Sequence, residues 1–327
     1  MGRSLLARLQ GGARPVNRVG LSMDAQVATL VHLPMSGAAR PLAAALRTLE
    51  MTPQRTLADA LGQAVGELHL RNTPCTLTLS PGEYQTFQID RPPVEPDELV
   101  AAARWRVRDL LDYPLDEAII DVFEVPGQSQ RGRAPAVMVV AARQGLLRQR
   151  LDLIEAAGLR PDRIDIAELA LRNLLARLGG PDETLVTLYL ANHRGLILIT
   201  RGERLYVARG VDYGLDEVRD ALAPAVDGNL AVAGSAEAFC ERVALEVQRT
   251  LDYFERHFGL EAARRLLLAP ALSGVDALAT QVGSSLGLSA EVLSTDTLVG
   301  LDTASGITAP GIIALGGALR LPTGGGA

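Results

Sequence analysis

The chain has 327 residues, with 32 basic and 38 acidic side chains and a formal net charge of −6; every basic residue counted there is arginine. Without lysine there is no Walker-type phosphate loop, Schiff-base enzyme, pyridoxal-phosphate enzyme or kinase ion pair. The acidic balance and the few aromatics (five Phe, one Trp, six Tyr) exclude nucleic acid as an expected partner.

The leader over residues 1–17 carries Arg3, Arg8 and Arg14 among Leu5, Leu6 and Leu9, and reads as a solvated tail with at most weak contact to a membrane surface. From Arg18 to Leu33 two short apolar runs flank a break at Ser22–Gln26, the pattern of two strands around a tight turn. A helix is predicted over Pro53–Leu68, with Leu57, Leu61, Ala64, Val65 and Leu68 on one face. Cys75–Leu79 and Tyr84–Ile89 alternate like strands on either side of Ser80-Pro81-Gly82. Prolines at 92, 93 and 96 introduce an amphipathic helix over Asp97–Leu111, with Leu99, Ala103, Val107, Leu110 and Leu111 at steps of three or four.

Ile119–Val125 follows as a strand, Gly127–Arg133 as a polar loop, Ala136–Ala142 as a buried strand and Leu146–Ala157 as a helix ended by Gly158. Ile164–Ile166 and a helix over Ala167–Leu178 close the first half at Gly179-Gly180-Pro181. The second half repeats the opening meander with Thr184–Leu190, Leu196–Thr200 and Leu205–Val211. Then come a long helix over Glu237–Phe258, a strand at Arg265–Leu268, a helix at Val275–Leu286, a strand at Ala290–Leu293 and a last helix over about Pro310–Arg320.

Cys75 and Cys240 match no metal or redox spacing and read as small buried hydrophobes in a reducing compartment. No apolar run approaches the ~18–20 residues that span a bilayer, so the expected location is the cytoplasm. Gly283-Ser284-Ser285-Leu286-Gly287 imitates a hydrolase elbow, but its serine ends a helix and precedes a strand, the reverse of the required order. His32, His69, His193 and His257 have no metal-ligand partner at helical or loop spacing.

Four stretches resemble the PilM and MshI group of type IV pilus assembly proteins: Val19-Gly20-Leu21-Ser22; Trp105 through Glu117, including Leu111-Asp112-Tyr113-Pro114; Val139 through Arg143 followed by Ile154 through Leu159; and Thr250-Leu251-Asp252-Tyr253-Phe254. The Leu-Asp-Tyr-Pro variant is similar to the MSHA-type members. The resemblance implies an α/β fold of two ribonuclease-H-like lobes, the actin-like ATPase fold of the FtsA and PilM type, with a small α+β inserted subdomain. The expected boundaries are a first lobe at 18–180 with the insertion at about 73–130, a second lobe at 181–304, a C-terminal helix at 305–320 packing back on the first lobe, and a tail at 321–327.

ATP-binding relatives are expected to hold nucleotide and magnesium between the lobes, and this chain departs from their pattern in three places. The first phosphate turn has Ser22 in place of an aspartate, with Asp24 two residues on as the only nearby carboxylate, and Thr29 where relatives often carry lysine. The second turn has Asn192 and no carboxylate between Glu183 and Glu203. The adenosine loop reads Pro270-Ala271-Leu272 in place of glycines, adding carbon and removing an amide. The expectation is therefore a retained fold with no catalysis and no cofactor, with ATP and magnesium binding as the alternative.

The implied partner is a PilN-like or MshJ-like inner-membrane protein whose N-terminal peptide lies in a groove on the first lobe and inserted subdomain, which would hold this protein at the cytoplasmic face of the inner membrane. A homodimer is compatible with the sequence. Arg104, Trp105 and Arg108 fall largely off the core stripe of their helix, and Trp and Arg commonly anchor interfaces, so they are the candidate partner-binding residues. The competing reading places Trp105 over the neighbouring hairpin with the arginines paired to acids. A second alternative is the cytoplasmic domain of a type II secretion L-like protein cut before its membrane helix, against which Pro322 through Gly326 reads as a natural end.

Overall fold

The structure, a computed structural model, describes residues 16–23, 27–35, 45–126, 135–222, 230–272, 274–295 and 307–320. Most of the leader, Asp24 and the tail after Arg320 lie outside them. The first half contributes β1 (Val16–Met23), β2 (Val27–Met35), β3 (Ala45–Glu50), α1 (Leu57–Glu67), β4 (Pro74–Leu79), β5 (Tyr84–Asp90), α2 (Leu99–Val107), β6 (Ala118–Glu124), β7 (Ala136–Arg143), α3 (Gln144–Ala156), β8 (Arg160–Ile166) and α4 (Ala167–Leu178). The second contributes β9 (Thr184–Leu190), β10 (Gly195–Arg201), β11 (Arg204–Val211), α5 (Leu215–Leu222), α6 (Leu230–Phe258), β12 (Arg265–Ala269), α7 (Val275–Leu286), β13 (Ser289–Val292) and α8 (Ala309–Ala318).

Two five-stranded sheets share one topology, β3-β2-β1-β4-β8 and β11-β10-β9-β12-β13. In each, the first three strands form an antiparallel meander and the last two run parallel to the first. The central strand β9 is buried at every position, as its Thr-Leu-Val-Thr-Leu-Tyr-Leu sequence suits a strand covered on both faces. The first-lobe helix α1 starts at a capping box, where Thr56 Oγ1 accepts from Asp59 N at 3.1 Å and the Asp59 carboxylate accepts from Thr56 N at 3.3 Å.

A third sheet, β5-β7-β6, is inserted between β4 and α3. This corrects the insertion expected at 73–130. Cys75–Leu79 does not form a hairpin with Tyr84–Ile89; β4 pairs parallel with β1 and β8 inside the first large sheet, while β5 pairs with β7. Alternation on both sides of a turn resembles a hairpin whichever neighbours the strands eventually choose.

Two elements fall where the sequence pattern assigns none. Ala45–Glu50 has the composition of a helix but pairs with β2 as an edge strand, and α5 follows the meander of the second lobe. The helix expected over Asp97–Leu111 is α-helical only to Val107 and tightens to a 3-10 turn over Arg108–Leu110.

The helix α8 lies on the first lobe against β1, β2, β4 and α4. Gly20 has no room for a side chain, since a Cβ there would run into the carbonyl of Ala314, and one on Gly316 would run into that of Ala170. Asn173 Nδ2 donates to Gly316 O at 3.2 Å, closing the approach of α4 to the same helix. No described helix is long and apolar enough to cross a membrane.

Candidate functional site

A largely apolar groove of about 680 Å³ lies between the inserted sheet and the first lobe. One wall is β6, the edge of the three-stranded sheet, and the other is β8, the edge of the first large sheet. Along β6 the side chains alternate. Ile120 and Val122 pack with Ala103 and Val107 of α2, which leaves Ile119, Asp121 and Phe123 on the other face, opposite Ala142, Val140 and Met138. That face looks into the groove.

Two large apolar side chains remain open there, Ile119 at 45% exposure and Ile164 at 39%. The polar part of the lining is concentrated on β8 and at the end of α8. Asp165, buried, pairs with Arg320 at 3.1 Å and accepts from Ile166 N at 3.0 Å. Burial pushes its carboxyl above the ordinary value, and Arg320 opposes that shift. An apolar trough with a few fixed polar groups, walled by two strand edges that lack a second partner among the described strands, is suited to an extended peptide.

The residues expected to bind the partner lie elsewhere. Helix α2 covers the face of the small sheet turned away from the groove, and Arg104, Trp105 and Arg108 do not line it. Arg104 is held by backbone, its guanidinium donating to Ala118 O at 2.9 Å and Leu115 O at 2.5 Å. Arg108 pairs with its neighbour Asp109 at 2.8 Å. Trp105 is 66% exposed and Leu110, expected in the core stripe, is 55% exposed. The helix turns 3-10 just before Leu110, which rotates it off the buried face. A signal for the groove was present: the adjacent Ile119-Ile120 pair makes both faces of a short strand apolar, more than one covering helix can bury.

A second concavity, about 510 Å³, opens between the lobes and is lined by the Ser80–Glu83 turn, the Ala191–Arg194 turn, Tyr189 and the start of α8. Ser22 and Thr29 face each other in register across the β1–β2 hairpin, both fully buried. The Ser22 hydroxyl lies 3.4 Å from that of Ser80, and Thr29 Oγ1 has no hydrogen-bond partner among the described residues. Asn192 is exposed, and its carbonyl accepts from Asp216 N at 3.0 Å. The Glu83 carboxylate is engaged by Arg150 at 2.8 Å and by Ser80 N at 2.8 Å.

Past β12, Pro270 is buried and offers no amide, Ala271 is half-buried, and Leu272 packs against the core of the second lobe. The turn closes on itself through Leu272 N to Pro270 O at 3.1 Å and Val275 N to Leu272 O at 3.0 Å. Magnesium nucleotide requires carboxylates free to orient the metal and amides free to reach phosphate. The residues described at these positions are neutral or already engaged, so they do not fit that group.

Two sheets of identical strand order, facing each other across such a cleft, define the two-lobed actin-like ATPase fold with ribonuclease-H-like lobes. The family model for the type IV pilus assembly protein PilM matches residues 42–184, and over that segment the chain is PilM-like. Among solved structures, the chain is similar to that of a PilM–PilN type IV pilus biogenesis complex, with a TM-score of 0.68 and 23% identity over 94% of this chain and 99% of that one. It is also similar to the cytoplasmic domain of EpsL, an inner-membrane component of the type II secretion system of Vibrio cholerae, with a TM-score of 0.50 and 12% identity over 93% and 94% of the two chains. No curated protein matches the sequence.

Proposed function

We propose that the chain is a PilM-like component of type IV pilus assembly. It acts without catalysis as a scaffold at the cytoplasmic face of the inner membrane, and the β6–β8 groove takes an extended N-terminal segment of a PilN-like partner. The observation that carries this reading is the groove itself: apolar, walled by two open strand edges, and contained within the segment that matches the PilM family except for Arg320. Its test is fluorescence anisotropy with the N-terminal peptide of the PilN-like protein encoded nearest this one. Ile119→Glu and Ile164→Glu, both at exposed positions, are expected to weaken binding by about tenfold or more while the fold is kept. Unchanged affinity in both variants would remove the groove from the reading.

The non-catalytic part of the proposal rests on Ser22, Thr29, Asn192 and Pro270-Ala271-Leu272. Titration calorimetry with Mg-ATP is expected to show no binding; a micromolar dissociation constant would favour a nucleotide-switched protein. The MSHA assignment, with an MshJ-like partner, rests on Leu111-Asp112-Tyr113-Pro114. The fold likeness to the EpsL domain favours a second reading, a type II secretion component. Neighbouring genes for MSHA, other pilus or secretion subunits separate these systems.

A further inference from the structure

At the other edge of the inserted sheet from β6, a cavity of about 400 Å³ lies where β11 and α6 of the second lobe meet β5. Two sheet edges approach one another here, since β11 ends the second large sheet and β5 ends the small one, and neither has an outer partner among the described strands. Gln88 of β5 reaches across to the Tyr253 hydroxyl at 3.5 Å. Tyr253 stacks on His257 with ring centroids 3.9 Å apart, and together with Val207 these rings give the cavity an apolar wall.

The charge of the lining runs against the acidic balance of the whole chain. Arg209, Arg249 and Arg256 all face the cavity. Arg209 and Arg249 share one carboxylate, each 2.7 Å from an oxygen of Glu246. Arg256 donates to the carbonyl of Asp252 at 3.0 Å and stands 3.8 Å from its carboxylate. Two guanidiniums, those of Arg209 and Arg249, are thus set against one carboxylate, and side-chain exposures of 44% and 55% leave them accessible. Arginine keeps donors in hand after one bidentate contact, so each can take a second carboxylate.

We propose that this cavity is a second docking site, for an acidic extended segment of a partner protein that adds as a strand to the open edge of β11 and sets carboxylates against Arg209 and Arg249. Main-chain pairing supplies the affinity and the guanidiniums supply the choice of sequence. The site touches both the second lobe and the inserted sheet, so its occupant holds the two together. It does not depend on the β6–β8 groove.

The test is a selection of short displayed peptides on the full chain carrying Ile119→Glu and Ile164→Glu, which removes the β6–β8 groove from the selection, followed by anisotropy with the enriched sequences. Enriched peptides are expected to be rich in Asp and Glu, to lose about tenfold or more in affinity against the Arg209→Glu, Arg249→Glu double variant, and to weaken as salt is raised. Methylating alternate backbone nitrogens of the peptide is expected to abolish binding. If the charge-reversed protein unfolds, the Arg209→Ser, Arg249→Ser variant decides, with a melting curve as its control. Enrichment of neutral or basic peptides, equal binding to the variants, indifference to methylation, or binding of anionic lipid vesicles in place of peptides would each overturn the proposal.

Discussion

The hydroxyl of Tyr189, at the end of β9 in the second lobe, donates to the carbonyl of Ala309 at the start of α8, 2.9 Å away and fully buried. Because α8 packs on the first lobe, this single bond ties one lobe to the other at the floor of the cleft. Tyr189→Phe keeps the ring and removes the donor, so the Ala309 carbonyl loses the partner it has across the lobes and keeps only the helix bond expected from Ile313 N. The expected cost is about 1–2 kcal/mol, read as a lower urea midpoint with an unchanged slope. An unaltered midpoint would mean that the carbonyl finds another donor.

The contact of α8 with the sheet is set by missing side chains. At Gly20 and Gly316 a single methyl group would meet backbone carbonyls, which cannot swing aside as a flexible side chain can. Gly20→Ala or Gly316→Ala is therefore expected to cost about 3 kcal/mol or more, or to displace α8 from the first lobe. Thermal unfolding measures the first outcome and amide exchange over Ile312–Leu315 the second. Gly145→Ala is the matched control, because nothing lies near its Cβ position.

Strand and helix periods made the second meander legible, along with the first two strands of the first and the long helix ending at Phe258, because each buries a regular stripe. The neighbours of a strand were less legible. Nothing local tells Cys75–Leu79 to pair with β1 rather than with β5, so the boundary of the inserted sheet was misplaced. The same limit hid the groove. Ile164 and Asp165 come into one wall only when β8 ends the sheet, and Arg320 arrives from more than 150 residues later. The residue types that line the cleft were easier to read, because a neutral side chain or a proline is visible residue by residue at Ser22, Asn192 and Pro270.

Arg104 and Trp105 are adjacent on α2, yet their substitutions are expected to separate. Trp105 is two-thirds exposed and off the groove, so Trp105→Ala should shift stability by about 0.5 kcal/mol or less and leave partner-peptide binding unchanged. Arg104 holds the carbonyls of Leu115 and Ala118, which fix the chain as it enters β6. Arg104→Ala should cost about 1–3 kcal/mol and loosen that end of the groove. Denaturation with parallel anisotropy checks both. A loss of peptide affinity in Trp105→Ala alone would return the partner to the α2 face.

Glu168, at the start of α4, is buried and accepts a short hydrogen bond from the Tyr84 hydroxyl of β5. Burial raises its carboxyl from 4.5 to about 7, the Tyr84 bond opposing the shift, and burial together with the Glu168 charge raises the Tyr84 hydroxyl well above its ordinary range. Between those pH values the folded protein keeps the proton and the unfolded chain has released it. The Glu168 contribution to stability therefore falls as pH rises from about 4.5 to about 7, by about 3 kcal/mol, and is level above that. Glu168→Gln stays neutral at every pH and still offers an oxygen to Tyr84. Relative to the parent protein it should gain little near pH 4.5 and become progressively more stable up to neutrality. Urea midpoints of the two proteins across that range give the difference directly, free of the other carboxylates they share. A difference that does not change with pH would mean that Glu168 is not carried into the fold as the acid.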